Sequence, residues 1–354
     1  MDKKIVHVVG TGTIGEPLIG ILSSFKDAFG IDEVTFNKQT PRITDRSKVA
    51  ALKGKGAELS VAKEDWDKFF ELGMEPTLES DDAIDRASVV IDCTPVGNQN
   101  KKRTYDRYVG NGKGFIAQGS EFGFGKMYAR GINDASLDPE NDRFIQVVSC
   151  NTHNLAALID TIALGPEKED NLEGGRFVCM RRANDISQDG DFIPAPEVGK
   201  HDDERFGTHQ GRDAHHLFKT LGLDLNIYSS ALKINTQYMH TIHFNLILKR
   251  GITLEEVLRR VKANGRIAVT NKKSSASVFS FGRDHGLFGR ILNHTAIVTQ
   301  SLTLRGDREI VGMCFTSQDG NSLLSSIAAT LWLLDPADYE DRLEPIRPYL
   351  FKEI

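Results

Sequence analysis

Ile5 to Val9 is a short apolar strand, and Gly10-Thr11-Gly12-Thr13-Ile14-Gly15 follows it at once, ahead of a helical stretch from Pro17 to Phe25. This glycine turn between a strand and a helix constrains the fold more than any other part of the 354-residue chain. In the pattern G-x-G-x-x-G the first glycine makes the tight turn. The second lets a pyrophosphate approach the backbone, and the third lets helix and strand pack closely. Gly10, Gly12 and Gly15 therefore predict the first βα unit of a dinucleotide-binding sheet. The plainer alternative is a glycine turn with no ligand.

Strands and helices alternate up to residue 149, as a doubly wound parallel sheet requires. The second strand, Glu33 to Phe36, would normally end in Asp or Glu if the fold selected NAD, since an acid there binds the ribose 2′-hydroxyl. Here it ends in Asn37-Lys38, with Arg42 and Arg46 beyond. Cations at this place suit a 2′-phosphate, so NADP is expected to be accepted; the alternative is a solvated basic loop. Residues 47–80 are charged and read as mostly helical. Ala87 to Ile91 is a buried strand ending in Asp92-Cys93-Thr94-Pro95, and Gly114 to Ala117 is another, ending in Gln118-Gly119-Ser120. Ligands of such sheets bind outside the carboxyl ends of the strands, which puts Thr94 and Gly119 beside the cofactor.

The strand-like run Phe144 to Val148 leads into Ser149-Cys150-Asn151-Thr152, after which Leu155, Leu158, Ile159 and Ile162 recur at helical spacing. Asn151 or Thr152 supplies an N-cap type, so Cys150 sits at or just before a helix N-terminus. Free N–H groups and the helix dipole favour the thiolate there. They also suit an oxyanion formed when the sulfur attacks a carbonyl. The alternative is a buried structural cysteine, which the polar neighbours disfavour.

Beyond this helix the texture changes. Gly174 to Arg182, Leu225 to Ile234 and Tyr238 to Leu248 read as strands, residues 184–216 as a long polar loop, and Thr253-Leu254-Glu255-Glu256 as a capping box opening a helix. Leu323 to Leu334 is an apolar helix expected to pack back on the first domain. The expected architecture is α/β. A Rossmann-type domain over 1–149, completed by a segment at about 316–354, is joined to an α+β catalytic domain over 150–315 with a largely antiparallel sheet. A net charge of −5 argues against a nucleic-acid binder. No run approaches the roughly 18 apolar residues of a membrane span. The opening Met1-Asp2-Lys3-Lys4 is unlike a signal peptide. Cysteines at 93, 150, 179 and 314 have neither metal spacing nor the density of a disulfide scaffold. A cytoplasmic protein without a bound metal is expected.

A dinucleotide site combined with a helix-terminal cysteine suggests one reaction class. The sulfur adds to an aldehyde, hydride leaves to the nicotinamide, and an acceptor releases the acyl group from the resulting thioester. Such a site needs a base. His240 and His243 are the candidates, and an i, i+3 pair on a strand points to opposite faces, so at most one faces the site. A phosphorylated substrate would want cations and N–H donors, which Arg181, Arg182, His209 and Arg212 could supply.

The chain resembles the archaeal-type (type II) phosphorylating glyceraldehyde-3-phosphate dehydrogenases almost end to end. The blocks that carry the likeness are Gly12-Thr13-Ile14-Gly15, Asp92-Cys93-Thr94-Pro95, Gln118-Gly119, Val147-Val148-Ser149-Cys150-Asn151-Thr152, Arg181-Arg182-Ala183, Met239-His240, Gly282-Arg283-Asp284 and Gln318. The resemblance implies Cys150 as nucleophile with Ser149 and Asn151 contacting substrate. It implies Thr13, Ile14, Gly119 and Gln318 contacting the cofactor, NADP or NAD, with Lys38 at the place where members that accept NADP carry a basic residue. His240 matches the first His of the family's Met-His-x-His stretch. Glyceraldehyde 3-phosphate and inorganic phosphate would give 1,3-bisphosphoglycerate, in a homotetramer. Three departures surround the substrate: His153-Asn154 follows Thr152, Ile242 stands at the second His with His243 one place later, and His209-Gln210-Gly211-Arg212-Asp213 replaces His-His-Gly-Pro-Asp. Arg212 either replaces lost phosphate-binding capacity or marks a different substrate. The competing readings are another acyl-phosphate reductase or semialdehyde dehydrogenase of this architecture, and a catalytically weak nucleotide-binding protein.

Overall fold

The computed structural model describes residues 3–119, 121–186, 190, 192–317 and 319–354. The chain divides into two compact units. Met1–Lys126, Leu137–Val147 and Ser325–Arg347 form one; Met127–Ser136, Val148–Leu324 and Pro348–Ile354 form the other.

The first sheet comprises β1 (Ile5–Val9), β2 (Glu33–Asn37), β3 (Ala57–Val61), β4 (Leu78–Glu79), β5 (Val89–Asp92), β6 (Gly114–Gln118), β7 (Lys126–Tyr128) and β8 (Phe144–Val147). Their order is β4-β3-β2-β1-β5-β6-β8-β7. Each neighbouring pair from β4 through β8 is parallel. The order reverses at β1, where Val9 lies level with Asn37 on one side and Asp92 on the other. Such a switch point is where an open α/β sheet receives its ligand. β5 and β6 are buried along their whole length, as parallel strands covered on both faces must be. One strand was hidden from sequence reading: within residues 47–80 the structure places β3 between the helices Arg46–Lys53 and Trp66–Glu71. Its sequence, AELSV, carries two polar residues among charged helices, so no apolar run marks it. At the other end of the chain, the Leu333 side chain of the helix Gly320–Leu334 lies so close over Gly114 that a Cβ there would meet Leu333 Cδ1 at 2.7 Å.

The second sheet comprises β9 (Leu172–Arg181), β10 (Glu197–Val198), β11 (Ile227–Lys233), β12 (His240–Leu248), β13 (Ile267–Thr270), β14 (Thr295–Val298), β15 (Thr303–Arg305) and β16 (Glu309–Thr316). The order is β10-β11-β9-β12-β16-β14-β13, with β15 on β16. The pairs β9–β11 and β13–β14 are parallel. The others are antiparallel. β12 alternates buried and partly exposed positions from His240 to Leu248, the period-2 signature of a strand with one core face. Ile242, Phe244 and Leu246 on that face share a core with Leu155, Ala156 and Leu158 of the helix Cys150–Leu158. The polar stretch 184–216, read as loop, ends in the helix His209–Lys219. That helix escapes sequence reading because its buried side includes Gln210, Asp213 and His215. The capping box is present, with the Thr253 hydroxyl accepting the Glu256 N–H at 3.1 Å. Among the described residues no helix is long and apolar enough to cross a membrane.

Candidate active site

In the first unit the three glycines of the opening turn differ in what they do. Gly10 takes φ +96°, a conformation that side chains rarely adopt. A Cβ on Gly15 would run into the Gly10 carbonyl, so the packing of the helix Gly15–Ser24 on its own turn demands glycine. Gly12 has neither constraint, and a Cβ there would meet nothing within 4 Å. Its carbonyl accepts the Glu16 N–H at 3.0 Å, and its bare, exposed backbone otherwise fits a cradle for a pyrophosphate. Thr13 and Ile14 are half-buried beside it. Gly119 also has open space around it, at φ +65°. The turn after β5 is organised by buried Asp92. Its Oδ1 accepts the Thr94 N–H at 2.9 Å and the Thr94 hydroxyl at 2.6 Å, and its Oδ2 accepts from Asn100 and Tyr105, each at 2.8 Å. Thr94 Cγ2 faces Gly10.

Lys38 follows β2 but does not reach into solvent. Its Nζ lies 3.0 Å from Asp45 Oδ2, and both side chains are mostly buried. Lys48, which sequence reasoning overlooked, donates to the Thr11 carbonyl at 3.2 Å and pairs with Glu16 at 3.2 Å. It brings a second cation to the rim of the glycine turn. Gln318 lies outside the described residues.

In the second unit the nucleophile candidate is the first residue of the helix Cys150–Leu158. The N-cap is Ser149, not Asn151 or Thr152. Its Oγ accepts the Thr152 N–H at 3.4 Å and lies 2.9 Å from the Thr152 hydroxyl. Asn151 Oδ1 accepts from Thr316 Oγ1 at 3.0 Å, and Asn154 Nδ2 donates to the same hydroxyl at 3.0 Å. This ties the first helical turn to the end of β16. Asn321 Nδ2 donates to the Cys150 carbonyl at 2.9 Å. Burial pushes the Cys150 thiol up to about 11, with Arg182 and Arg181 pulling it down and Asp319 and Asp185 pushing it further up. The resting group is therefore a thiol. Burial opposes the helix terminus, which favours the thiolate.

His240 opens β12 directly opposite Thr316. It lies on the core face beneath the nucleophile's helix, and His243 lies on the other face. The i, i+3 spacing separates the two rings as expected. The buried His240 ring accepts the Arg182 backbone N–H at Nδ1, 3.0 Å away, so the neutral ring carries its proton on Nε2. Burial, then the charges of Arg182 and Arg181, hold its pKa well below the ordinary value. In this state Nε2 is a donor toward whatever sits before it.

The Arg182 side chain is 2 % exposed. Its Nη2 meets Asp185 Oδ1 at 2.7 Å and Asp319 Oδ1 at 3.9 Å, and its Nε donates to the Asn184 carbonyl at 3.0 Å. Nη1 has no partner among the described residues, and neither does the buried Asp319 Oδ2. Burial raises the Asp319 carboxyl to about 6 against the pull of Arg182 and Arg290. Asp185, Asp319 and Asn321 were missed in the sequence. The one signal available was an acid at a strand–turn–helix junction, in a hexapeptide that reads as an ordinary polar turn.

Arg181, next along the strand, is exposed. It faces His209, the first residue of the helix His209–Lys219. Burial, Arg181 and Arg212 together hold the His209 imidazole down to about 4. The charges of two expected substrate-binding residues, Arg181 and Arg212, thus act on a third at a helix N-terminus, which suits an anion. Gln210 is turned inward, where its Oε1 accepts from Thr208 Oγ1 at 2.5 Å. Arg212 pairs with Asp213 Oδ1 at 2.9 Å and keeps a third of its side chain exposed.

No family model matches the chain. Three curated archaeal proteins named glyceraldehyde-3-phosphate dehydrogenase are similar to it. The one from Sulfolobus acidocaldarius is 27% identical over 319 residues, 87% of this chain and 85% of that protein. The one from Pyrobaculum islandicum is 25% identical over 320 residues, 85% of this chain and 84% of its own. The one from Methanobacterium bryantii is 25% identical over 347 residues, 94% of each. Likenesses that run across most of both chains support kinship with the glyceraldehyde-3-phosphate dehydrogenase family.

Proposed function

We propose that this chain is a nicotinamide-dinucleotide-dependent dehydrogenase that oxidises glyceraldehyde 3-phosphate through Cys150 and passes the acyl group to inorganic phosphate, giving 1,3-bisphosphoglycerate. The observation that carries this reading is Cys150 as the first residue of a capped helix, within the field of a buried guanidinium and two carboxylates, in the same unit as Arg181 and Arg212, whose charges act on His209.

The Cys150 sulfur forms a bond to the aldehyde carbon, and the carbonyl π pair moves to oxygen. The backbone N–H groups of Cys150 and Asn151, with His240 Nε2–H, would be the donors to that oxyanion, since the Thr152 N–H is taken by the Ser149 cap. Gly12, Thr94 and Gly119 would hold the dinucleotide, whose chemistry there would be to accept the hydride that the carbon loses when the thioester forms. Phosphate then attacks the Cys150 thioester, and the carbon–sulfur bond breaks. Arg181, His209 and Arg212 hold the substrate phosphate.

The test measures reduced nicotinamide formed from glyceraldehyde 3-phosphate, with and without inorganic phosphate. Phosphate-dependent formation supports the reading. Formation that ignores phosphate assigns water as the acyl acceptor. No formation with glyceraldehyde 3-phosphate but turnover of a carboxylate-bearing semialdehyde would turn the inward Gln210 and the added Arg212 into marks of a different anionic aldehyde.

Cofactor choice follows from Lys38. With no acid at the end of β2, Lys38 is the group expected to meet a 2′-phosphate, in competition with Asp45. Lys38→Glu is expected to weaken NADP about tenfold or more while NAD changes little, the size of one charge-assisted contact. Asp45→Asn, which frees Lys38, is expected to shift the NADP/NAD affinity ratio the other way. Fluorescence titration of both dinucleotides reads both variants, and an unchanged ratio in both would remove Lys38 from the site.

A further inference from the structure

We infer that the cleft before β6 and β8 is a binding site for a small polyphosphate, organic or inorganic, gripped by Lys101, Lys113 and Arg143. None of its residues takes part in the reaction proposed above.

The cleft has a volume of about 560 Å³, within the roughly 300–1,000 Å³ of small-molecule sites. It is lined by residues just ahead of Gly114 and Phe144, where β6 and β8 begin. Gly119 follows the other end of β6, so the cleft lies at the amino ends of the parallel strands, opposite the edge where such sheets take a dinucleotide. Lys101 comes from the helix Gly97–Arg103, Lys113 from the turn before β6 and Arg143 from the turn before β8. All three are half-buried, and none of them forms an ion pair among the described residues. Lys101 Nζ donates to the Phe124 carbonyl at 2.6 Å and stands 4.2 Å from the centre of the Phe144 ring. Lys113 Nζ donates to the carbonyls of Asp85 and Ala87 at 2.6 and 2.7 Å and stands 5.3 Å from the centre of the Tyr108 ring. The Arg143 carbonyl accepts the Phe115 N–H at 2.7 Å, which fixes its backbone to β6, while its guanidinium makes no hydrogen bond among the described residues.

Carbonyls and ring faces hold an ammonium in place without cancelling its charge. Burial accordingly holds the Lys113 ammonium below its ordinary range, with Asp85 opposing. The two carboxylates at the cleft, Asp106 and Glu140, are exposed, where water and salt screen them. A cation drawn partly out of water with no counter-charge is costly, and a bound anion offsets that cost. Three such cations at one cleft are compensated together by a ligand that carries several negative charges. The ammonium groups of Lys101 and Lys113 stand over different rings, so a ligand that meets both needs more than one phosphate. The guanidinium of Arg143 adds a fork of donors that matches phosphate oxygens. Between the cations the wall is bare backbone. Gly110 and Gly112 take φ +88° and +83°, and a Cβ on either would meet nothing within 4 Å, so an anion can approach the chain closely there.

Titration calorimetry of the whole chain with inorganic tripolyphosphate, with and without excess NADP, tests the site and needs no aldehyde. Tripolyphosphate is expected to bind at least about tenfold more tightly than inorganic phosphate, and NADP should leave its affinity unchanged. Arg143→Gln should weaken it about tenfold, and Arg143→Lys should stay within about threefold of wild type. Lys101 and Lys113 also anchor their own segments, so Arg143, whose side chain holds nothing else, is the position that reads the ligand alone. An unchanged urea midpoint in Arg143→Gln shows that the fold is intact. Asp106→Asn, which removes a repelling charge at the cleft, should tighten binding. Tripolyphosphate that binds no better than phosphate overturns the inference, as does binding that Arg143→Gln leaves unchanged. Binding that disappears as NADP is raised also overturns it, because the ligand would then sit at the glycine turn. ATP distinguishes the two sources of polyphosphate. Affinity equal to or above that of tripolyphosphate assigns the cleft to organic polyphosphates, and weaker affinity that still depends on Arg143 assigns it to inorganic chains.

Discussion

Cys150→Ser is expected to lower aldehyde turnover by at least about 10³-fold while dinucleotide affinity stays within about twofold of wild type. The substitution removes the proposed nucleophile and little else. Serine has nearly the same volume, the cap at Ser149 is made by a different side chain, and Asn321 binds the backbone carbonyl of residue 150, not its side chain. A serine hydroxyl in the field of Arg182, Asp319 and Asp185 ionises far less readily than a thiol, so it does not replace the sulfur. The glycine turn, Thr94, Lys38 and Gly119 all belong to the other unit, so dinucleotide titration should not register the change. Steady-state rates and titration on the same sample test both halves. Turnover within tenfold of wild type would remove Cys150 from the chemistry, and a parallel loss of dinucleotide binding would point to a folding defect.

What could be read in the sequence follows from how local the signal is. The glycine turn is legible because its constraint is written within six residues and concerns only the backbone. Gly15 is required by a contact with Gly10 in the same turn, and Gly12 stands out because nothing in the structure requires it. The strands β1, β5 and β6 announce themselves as apolar runs because both of their faces are covered. β3 and the helix His209–Lys219 do not, since polar residues occupy buried places in each, and tertiary packing overrides pattern there. At the site, Cys150 and the opposite facing of His240 and His243 follow from spacing along one helix and one strand. The ionisation of Cys150 does not. It depends on Arg182, Asp185 and Asp319, which come from parts of the chain as far as 169 residues away (150 to 319), and on a burial that no window of sequence contains. Lys38 shows the same limit. Its type and place after β2 are legible, but its pairing with Asp45 is not.

Acid should destabilise the unit that holds the Cys150 helix, and one cause is a pair of buried histidines. His153, on the first turn after Cys150, holds its Nδ1 3.0 Å from the Ser149 carbonyl and stacks on His294 with centroids 5.1 Å apart. His294 Nε2 lies 2.8 Å from the Arg130 carbonyl. Each contact is to a carbonyl, so each of these nitrogens must carry the proton. Burial holds the His153 imidazole down to about 4, and it holds His294 well below the ordinary value, helped by the neighbouring His153. An unfolded histidine titrates near 6.5, so between that pH and about 4 the unfolded chain binds a proton that the folded chain refuses. Stability is therefore complete above about 6.5 and falls as the pH drops toward 4. The loss from His153 alone is about 2 kcal/mol at pH 5, and His294 adds to it with the same sign. Urea unfolding of the wild type and of His153→Gln at pH 7 and pH 5 isolates the His153 part of this loss. His153→Gln, which cannot take up the proton, is expected to recover about 2 kcal/mol of the acid loss, whatever its stability at pH 7. Equal acid losses in the two proteins would mean that His153 is already charged in the fold. The acid lability would then have to be sought outside His153, since an imidazolium keeps its Nδ1 donation to the Ser149 carbonyl and takes up no further proton.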